Sequence, residues 1–311
     1  MPYAHKIGVL LLLILLEFNV STFSLYAQDL DPRAYSWVPK NVTALNLGYS
    51  YSGGSVLTDP TIQIDDVEAQ AHSAILALAH SFSFFGMTSQ ALVAVPYSWA
   101  DFSGKVVGEN RRISRSGFSD LRMRWSFLFY GAPSRNPGQI IPQKKKTILG
   151  ASINIVAPTG EFYADKLVNL GTNRWSFRPE LAISHQFGQR WLLDFYTGIW
   201  FFTDNDEFFP GDAVRSQDPL GTIQGHLSYN INPQFWIAID ATWYGGGNSY
   251  VDGINKDNRQ SNSRIGVTSV IPINKQSSIK IAASTGAIVR IGQDFQTISV
   301  GWQRTWLGKV K

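Results

Sequence analysis

The sequence predicts an all-β fold: a transmembrane antiparallel β-barrel of about twelve strands with both chain ends in the periplasm. Three observations lead there. The chain opens with an export signal. Period-two alternation of apolar and polar residues then runs almost to the C-terminus. The alternating segments are also longer than ordinary soluble strands.

The export signal comes first. Ile7 to Leu16 is an unbroken apolar run of ten residues behind Lys6, closed by Glu17. Spanning a bilayer as a helix takes ~20 such residues, so the run suits the apolar stretch of a signal peptide. Ser24-Leu25-Tyr26-Ala27 offers a cleavage point after Ala27, which makes residues 1–27 the signal. Export points to the outer membrane of a Gram-negative bacterium. Residues 28–41 follow as a periplasmic segment, which either stays outside the barrel or folds back into it as a plug.

Composition removes several classes. Mean hydropathy is −0.08, which rules out a bundle of membrane helices. Aromatic residues make up 13% of the chain and charged residues only 16%, the reverse of a disordered chain. There is no cysteine, hence no disulfide, thiolate metal site or cysteine nucleophile. The 27 Lys+Arg exceed the 23 Asp+Glu only slightly. They are scattered, apart from Arg111-Arg112 and Lys144-Lys145-Lys146, and nucleic-acid binding would need them clustered.

The strands are read from the alternation. In 120–130, Leu121, Met123, Trp125, Phe127 and Phe129 oppose Asp120, Arg122, Arg124 and Ser126. In 190–202, Trp191, Leu193, Phe195, Ile199 and Phe201 oppose Arg190, Asp194 and Tyr196. In 234–244, Phe235, Ile237, Ile239 and Trp243 oppose Asp240 and Thr242; in 278–291, Ile279, Ile281 and Val289 oppose Lys280 and Arg290. A soluble sandwich also alternates, but its strands cluster at ~5–6 residues, whereas a tilted spanning strand needs ~9–11. Trp99, Trp175, Trp200, Trp243, Trp302 and Trp306 fall near strand ends, where aromatic rings meet lipid head groups.

Twelve strands follow: 42–53, 69–83, 88–99, 117–131, 147–158, 173–187, 189–203, 219–231, 234–246, 261–272, 277–291 and 295–307. The barrel occupies 42–307, with 308–311 as a tail. Tight turns alternate with long segments at 54–68, 100–116, 159–172, 204–218 and 247–260, the asymmetry of periplasmic turns and outer loops. Two connections depart from it, the long periplasmic 132–146 and the short outer 292–294. The amphipathic last strand is the element a barrel-assembly machinery would engage, and Arg304 on its lipid face is expected to snorkel to head groups.

Parity points many charges into the lumen: Arg122, Arg124, Arg174, Arg178, Glu180, Arg190, Asp194, Asp240, Arg264, Lys280 and Arg290, together with Asp120. They read either as a charge filter for solutes or as ion-pair ladders filling a narrow barrel. Cations outnumber acids, which predicts mild anion selectivity. The acidic loops lack ordered ligand spacing, so no metal and no cofactor is expected. His226 and Ser228 share one face but point in parallel, and no Gly-x-Ser-x-Gly elbow occurs, so an enzyme is not expected.

The run 169–180, Asn-Leu-Gly-Thr-Asn-Arg-Trp-Ser-Phe-Arg-Pro-Glu, resembles the signature of a family of outer-membrane transporters named for the meta-pathway of phenol degradation. Residues 29–35 (Asp-Leu-Asp-Pro-Arg-Ala-Tyr), 115–122, 204–208, 217–219, 262–266 and 284–292 carry the same resemblance. It implies a transporter-like barrel and uptake of aromatic compounds, and no catalytic residues. It singles out Arg174, Glu180, Asp204, Gln217 and Asp218; by position, Asn173, Asp204, Asp206, Gln217 and Asp218 belong to neighbouring outer loops, which read either as a constriction or as braces of the loop fold. The expected function is a monomeric barrel, embedded in outer-membrane lipids, that passively admits small molecules, aromatic or apolar ones among them. The alternatives are a non-transporting structural or surface-binding barrel and, last, a lipid hydrolase.

Overall fold

Each long segment has one face that needs apolar surroundings and one that needs polar partners. In a bilayer, a sheet closed on itself meets both needs and leaves no backbone edge unpaired. The computed structural model describes residues 30–57, 64–106, 109–137, 139, 146–209, 212–290 and 292–308. The signal-peptide reading of residues 1–27 lies outside them, as does nearly all of the tail.

The described strands are β1 (Val42–Leu57), β2 (Ile64–Phe84), β3 (Met87–Val106), β4 (Glu109–Phe118), β5 (Leu121–Tyr130), β6 (Thr147–Ala157), β7 (Ser176–Phe187), β8 (Trp191–Phe202), β9 (Asn205–Phe208), β10 (Ala213–Gln217), β11 (Leu220–Asn230), β12 (Trp236–Gly246), β13 (Ser249–Val251), β14 (Ile254–Asn255), β15 (Gln260–Pro272), β16 (Ser277–Ile288) and β17 (Gly292–Leu307). Twelve positions form the wall, with β4 and β5 sharing one. Neighbours are antiparallel, and β17 pairs along the whole of β1, from Val42↔Leu307 to Leu57↔Gly292, closing the ring. These are the twelve strands expected. Both termini of the barrel therefore lie at one end, the terminal end; the other is the loop end.

Exposure follows the inverse of a soluble protein. Along β8, Leu193 and Phe195 are 47% and 46% exposed, whereas Asp194 and Tyr196 between them are 0% and 1% exposed. β7, β11 and β12 repeat the pattern, with Glu180, Ser184, His226 and Asp240 buried and Leu181, Ile183, Ile237 and Ile239 exposed. Aliphatic side chains stand outward toward lipid and polar ones inward.

Three features depart from the expected boundaries. Segments 54–68 and 100–116, read as loops, are largely strand, because β1 to β4 run on beyond the alternating stretch. Almost every residue of β4 is exposed. Neither face meets lipid or bore there, so neither need be apolar, and period-two patterning is lost. Segment 204–218 is a hairpin of β9 and β10, which β13 and β14 extend into a four-stranded sheet at the loop end. Finally, Ser119 and Asp120 interrupt the fourth wall strand. β3 pairs with β5 up to Ala94↔Arg122 and with β4 from Tyr97↔Phe118, a shift of one residue. Pro96 lies opposite, where its missing N–H costs no ladder bond, and its carbonyl accepts from Ser119 N at 3.0 Å.

Candidate functional site

The bore is lined by the inward faces of the wall strands, and it is not empty. Residues 30–41 run into it from the terminal end. Their root is pinned at the rim: Ser81 Oγ donates to the Pro39 carbonyl (2.6 Å), Asn41 N to the Ser81 carbonyl (2.7 Å), and the Trp37 indole to the Pro133 carbonyl (2.9 Å). A turn at Arg33, whose φ is +65°, then carries the chain across the lumen.

Three side chains of this segment meet the wall at separate places. Asp31 takes Lys280 Nζ of β16 at 2.9 Å and lies 3.5 Å from Arg124 of β5. These strands are well apart around the ring, so one carboxylate ties distant parts of the wall together. The two cations together balance its charge. Arg33 donates its backbone N–H to Asp194 Oδ2 (3.2 Å) and lays its guanidinium 4.4 Å over the Trp236 ring. Tyr35, fully buried, donates to Glu180 Oε1 (2.9 Å) and has Ser152 Oγ at 2.7 Å. Leu128, Ala132, Ala182 and Tyr196 pack round it.

The wall charges are mostly paired. Arg124 and Arg178 both approach Glu180, at 3.5 and 3.4 Å, and Arg178 also sits 4.9 Å over the Trp200 ring. Ser184, Asp194, His226 and Asp240 form one row across β7, β8, β11 and β12. Within it His226 Nδ1 is 2.8 Å from Asp240 Oδ1, while Thr268 donates to Asp240 Oδ2 at 2.6 Å. Arg264 donates to Ser284 at 3.1 Å. Buried charges survive in a low-dielectric interior only with such partners.

Of the residues read as lumenal, Arg122, Arg124, Arg178, Glu180, Asp194, Asp240, Arg264 and Lys280 line the bore. Arg190 sits at the turn before β8, bonded to Tyr229 Oη at 2.8 Å. Arg290 lies in the β16–β17 loop, its backbone N–H on Asn262 and its guanidinium 3.8 Å from Asp257. Asp120 braces the β6–β7 loop, accepting from Gly160 N, Thr172 N and Thr172 Oγ1 at 2.9, 2.9 and 2.6 Å.

The loop residues knit the loop end together. Asn173, at φ +51°, donates to Asn205 Oδ1 and Glu207 Oε2, both at 3.1 Å. Arg174 donates to Gln217 Oε1 (2.5 Å) and lies 4.4 Å over the Phe202 ring; Gln217 in turn donates to the Gly247 carbonyl at 2.9 Å. Asp218 accepts from Tyr250 Oη at 3.2 Å. Asp204 and Asp206 are exposed. Sequence reasoning missed Asp31, Arg33, Tyr35 and Ser152 as site residues. The 29–35 match and the plug reading of 28–41 pointed to the segment that carries the first three, and nothing singled out Ser152.

Comparison with known proteins follows this geometry. A crystal structure described as the COG4313 outer membrane channel from Pseudomonas putida F1 superposes with a TM-score of 0.77 at 22% identity, covering 89% of this chain and 100% of that one. The transport unit of the autotransporter AIDA-I from Escherichia coli superposes with a TM-score of 0.51 at 12% identity, covering 92% and 95%. At these identities the likeness is one of fold, that of an outer-membrane barrel. No curated protein matches the chain. The family model described as "Putative MetA-pathway of phenol degradation" matches residues 44–306, which begin two residues into β1 and end one residue before the close of β17. The match thus takes in the whole wall with its inward charges and loop braces, and the chain belongs to that family.

Proposed function

We propose that this protein is a passive outer-membrane channel for small molecules, aromatic and apolar ones among them, whose bore is closed in the present state by residues 30–41. One observation carries the reading. The segment in the bore is not a wall strand; it is held there by side-chain contacts and a pinned root. Each such polar contact is worth a net ~0.5–3 kcal/mol, so the insert can leave while the wall stays intact. The solved channel of the same fold and the phenol-degradation description of the family support the same reading. In this proposal residues 1–27 are a cleaved signal, the terminal end faces the periplasm, the loop end faces outside, and the barrel is a monomer inserted by the assembly machinery. Its chemistry is passage, not catalysis.

Planar-bilayer recording tests it. The folded native barrel should give reproducible steps, and Asp31→Asn, which loosens the tie between Lys280 and Arg124, should raise the open fraction. Silence from both proteins, correctly folded, would favour a structural or surface-binding barrel instead.

A further inference from the structure

Tyr35 is seated as a bound ligand would be. Its ring is fully buried, edge-on to Tyr196 with centroids 4.9 Å apart, and the Arg124 guanidinium lies 4.7 Å over its face. Its hydroxyl is recognised twice, by Glu180 as acceptor at 2.9 Å and by Ser152 Oγ at 2.7 Å. The wall leaves room for the ring at Gly150, where a Cβ would come within 2.6 Å of Tyr35 Cδ1. Arg124, Gly150, Ser152, Glu180 and Tyr196 belong to β5, β6, β7 and β8, four consecutive wall strands. The pocket is therefore part of the barrel, while its occupant belongs to a segment that pairs with no strand along 30–37.

We propose that this pocket is a phenol-binding site of the channel, and that a phenolic solute competes with Tyr35 for it and so displaces residues 30–37 from the bore. The proposal deepens the channel reading and rests on it for the effect on flow. The chemistry selects one class. A bare aromatic ring would fill the apolar volume but make neither hydrogen bond of the Tyr35 hydroxyl, to Glu180 Oε1 and with Ser152 Oγ, and a site built to hydrogen-bond a hydroxyl discriminates against an analogue that lacks it. A benzoate would bring its carboxylate against Glu180. A phenol satisfies both groups and offers its face to Arg124. Because Tyr35 is tethered, it competes at high local concentration, and a solute's apparent affinity is lowered by the fraction of time the pocket is filled.

The probe is 4-methylphenol, the tyrosine side chain with a hydrogen in place of the backbone. Binding is measured by equilibrium dialysis of the full-length protein in detergent, against protein-free micelles. Tyr35→Ala should bind 4-methylphenol roughly tenfold tighter than the native protein, because the internal competitor is gone. It should prefer 4-methylphenol to toluene, and adding Ser152→Ala with Glu180→Gln should erase that preference. In bilayers, 4-methylphenol should raise the native open fraction and leave Tyr35→Ala unchanged. Tyr35→Phe, which keeps the packing, should bind the probe with intermediate affinity and serves if Tyr35→Ala fails to fold. Binding no tighter in either variant than in the native protein, or toluene held as well as 4-methylphenol, would overturn the site. The two readings separate cleanly. A barrel that conducts while Tyr35→Ala ignores 4-methylphenol defeats the pocket alone. A silent barrel that binds as described defeats the channel and leaves the pocket standing.

Discussion

Asp120→Ala should free the β6–β7 loop, residues 158–175, without unfolding the wall. Asp120 is 5% exposed and its two oxygens accept from Gly160 N, Thr172 N and Thr172 Oγ1 at 2.9, 2.9 and 2.6 Å. Hydrogen bonds to a charged group are worth ~1.5–3 kcal/mol each, and removing the acceptor leaves two backbone donors unmet. The three are not additive, and the loop can reach water on opening, so about 3–6 kcal/mol of local stability should go. Asp120→Asn keeps an acceptor for one of the amides and presents an NH₂ to the other, so it should lose about half of that. The assay is hydrogen exchange on the folded barrel in detergent. At ~1.4 kcal/mol per decade, the amides of Gly160 and Thr172 should exchange about a hundredfold to ten-thousandfold faster in Asp120→Ala. Amides in β7 and β8 should keep their native rates. The reasoning fails if Gly160 and Thr172 stay protected, and equally if the whole wall loses protection, which would make Asp120 a pillar of the barrel and not of one loop.

Other outcomes follow from the same structure. Ile237→Arg or Ile281→Arg, both outward and exposed, should cost ~2–4 kcal/mol of folding in lipid. Lys280→Gln, inward and next to Ile281, should cost far less; equal losses on both faces would mean that the alternation does not divide lipid from lumen. The chain has no cysteine, so single cysteines at Ser103, Asp212 and Asn255 can be labelled cleanly. An impermeant maleimide on intact cells should reach all three and not a cysteine at Ser134; the opposite pattern would invert the topology. With Asp31 and Arg33 added to the bore, cations still outnumber acids, and any aqueous conductance should be mildly anion-selective across a salt gradient. Lys280→Gln should lower that selectivity, and a cation-selective native barrel would refute the charge count.

What the sequence could show was set by how far lipid reaches. Where a strand meets the bilayer, one face must be apolar, and stretches such as Leu193–Phe195–Ile199 announce themselves. Beyond the bilayer β4 has no such obligation, and its exposed run of Arg111, Arg112 and Ser114 reads as loop although it is paired throughout with β3. Parity serves only within an unbroken ladder. The one-residue shift at Ser119–Asp120 removes Asp120 from the row of Arg122 and Arg124 and hands it to a loop. Arg178 and Glu180, two apart on one strand, were legible as neighbours. The partners of Asp31 and Tyr35 were not, since nothing local in Leu-Asp-Pro-Arg-Ala-Tyr tells which distant wall residues it will touch.

The seam between β1 and β17 ties the order of synthesis to the shape of the finished protein. The two strands that complete the ring come from opposite ends of the chain, and the carbonyl of Asn41, at the root of the inner segment, accepts from Gly308 N just past the last strand. The ring cannot be sealed until the final strand has been made, which is the slow, long-range step of such a topology. Residues 30–41 exist long before that moment. Either they lie against the growing sheet as its walls curl round them, or they must later be threaded lengthwise through a rim already clamped at Asn41. The first path needs no threading, so the sheet assembles around its own insert, and a chain stopped short of β17 would leave that insert uncaptured and open to protease.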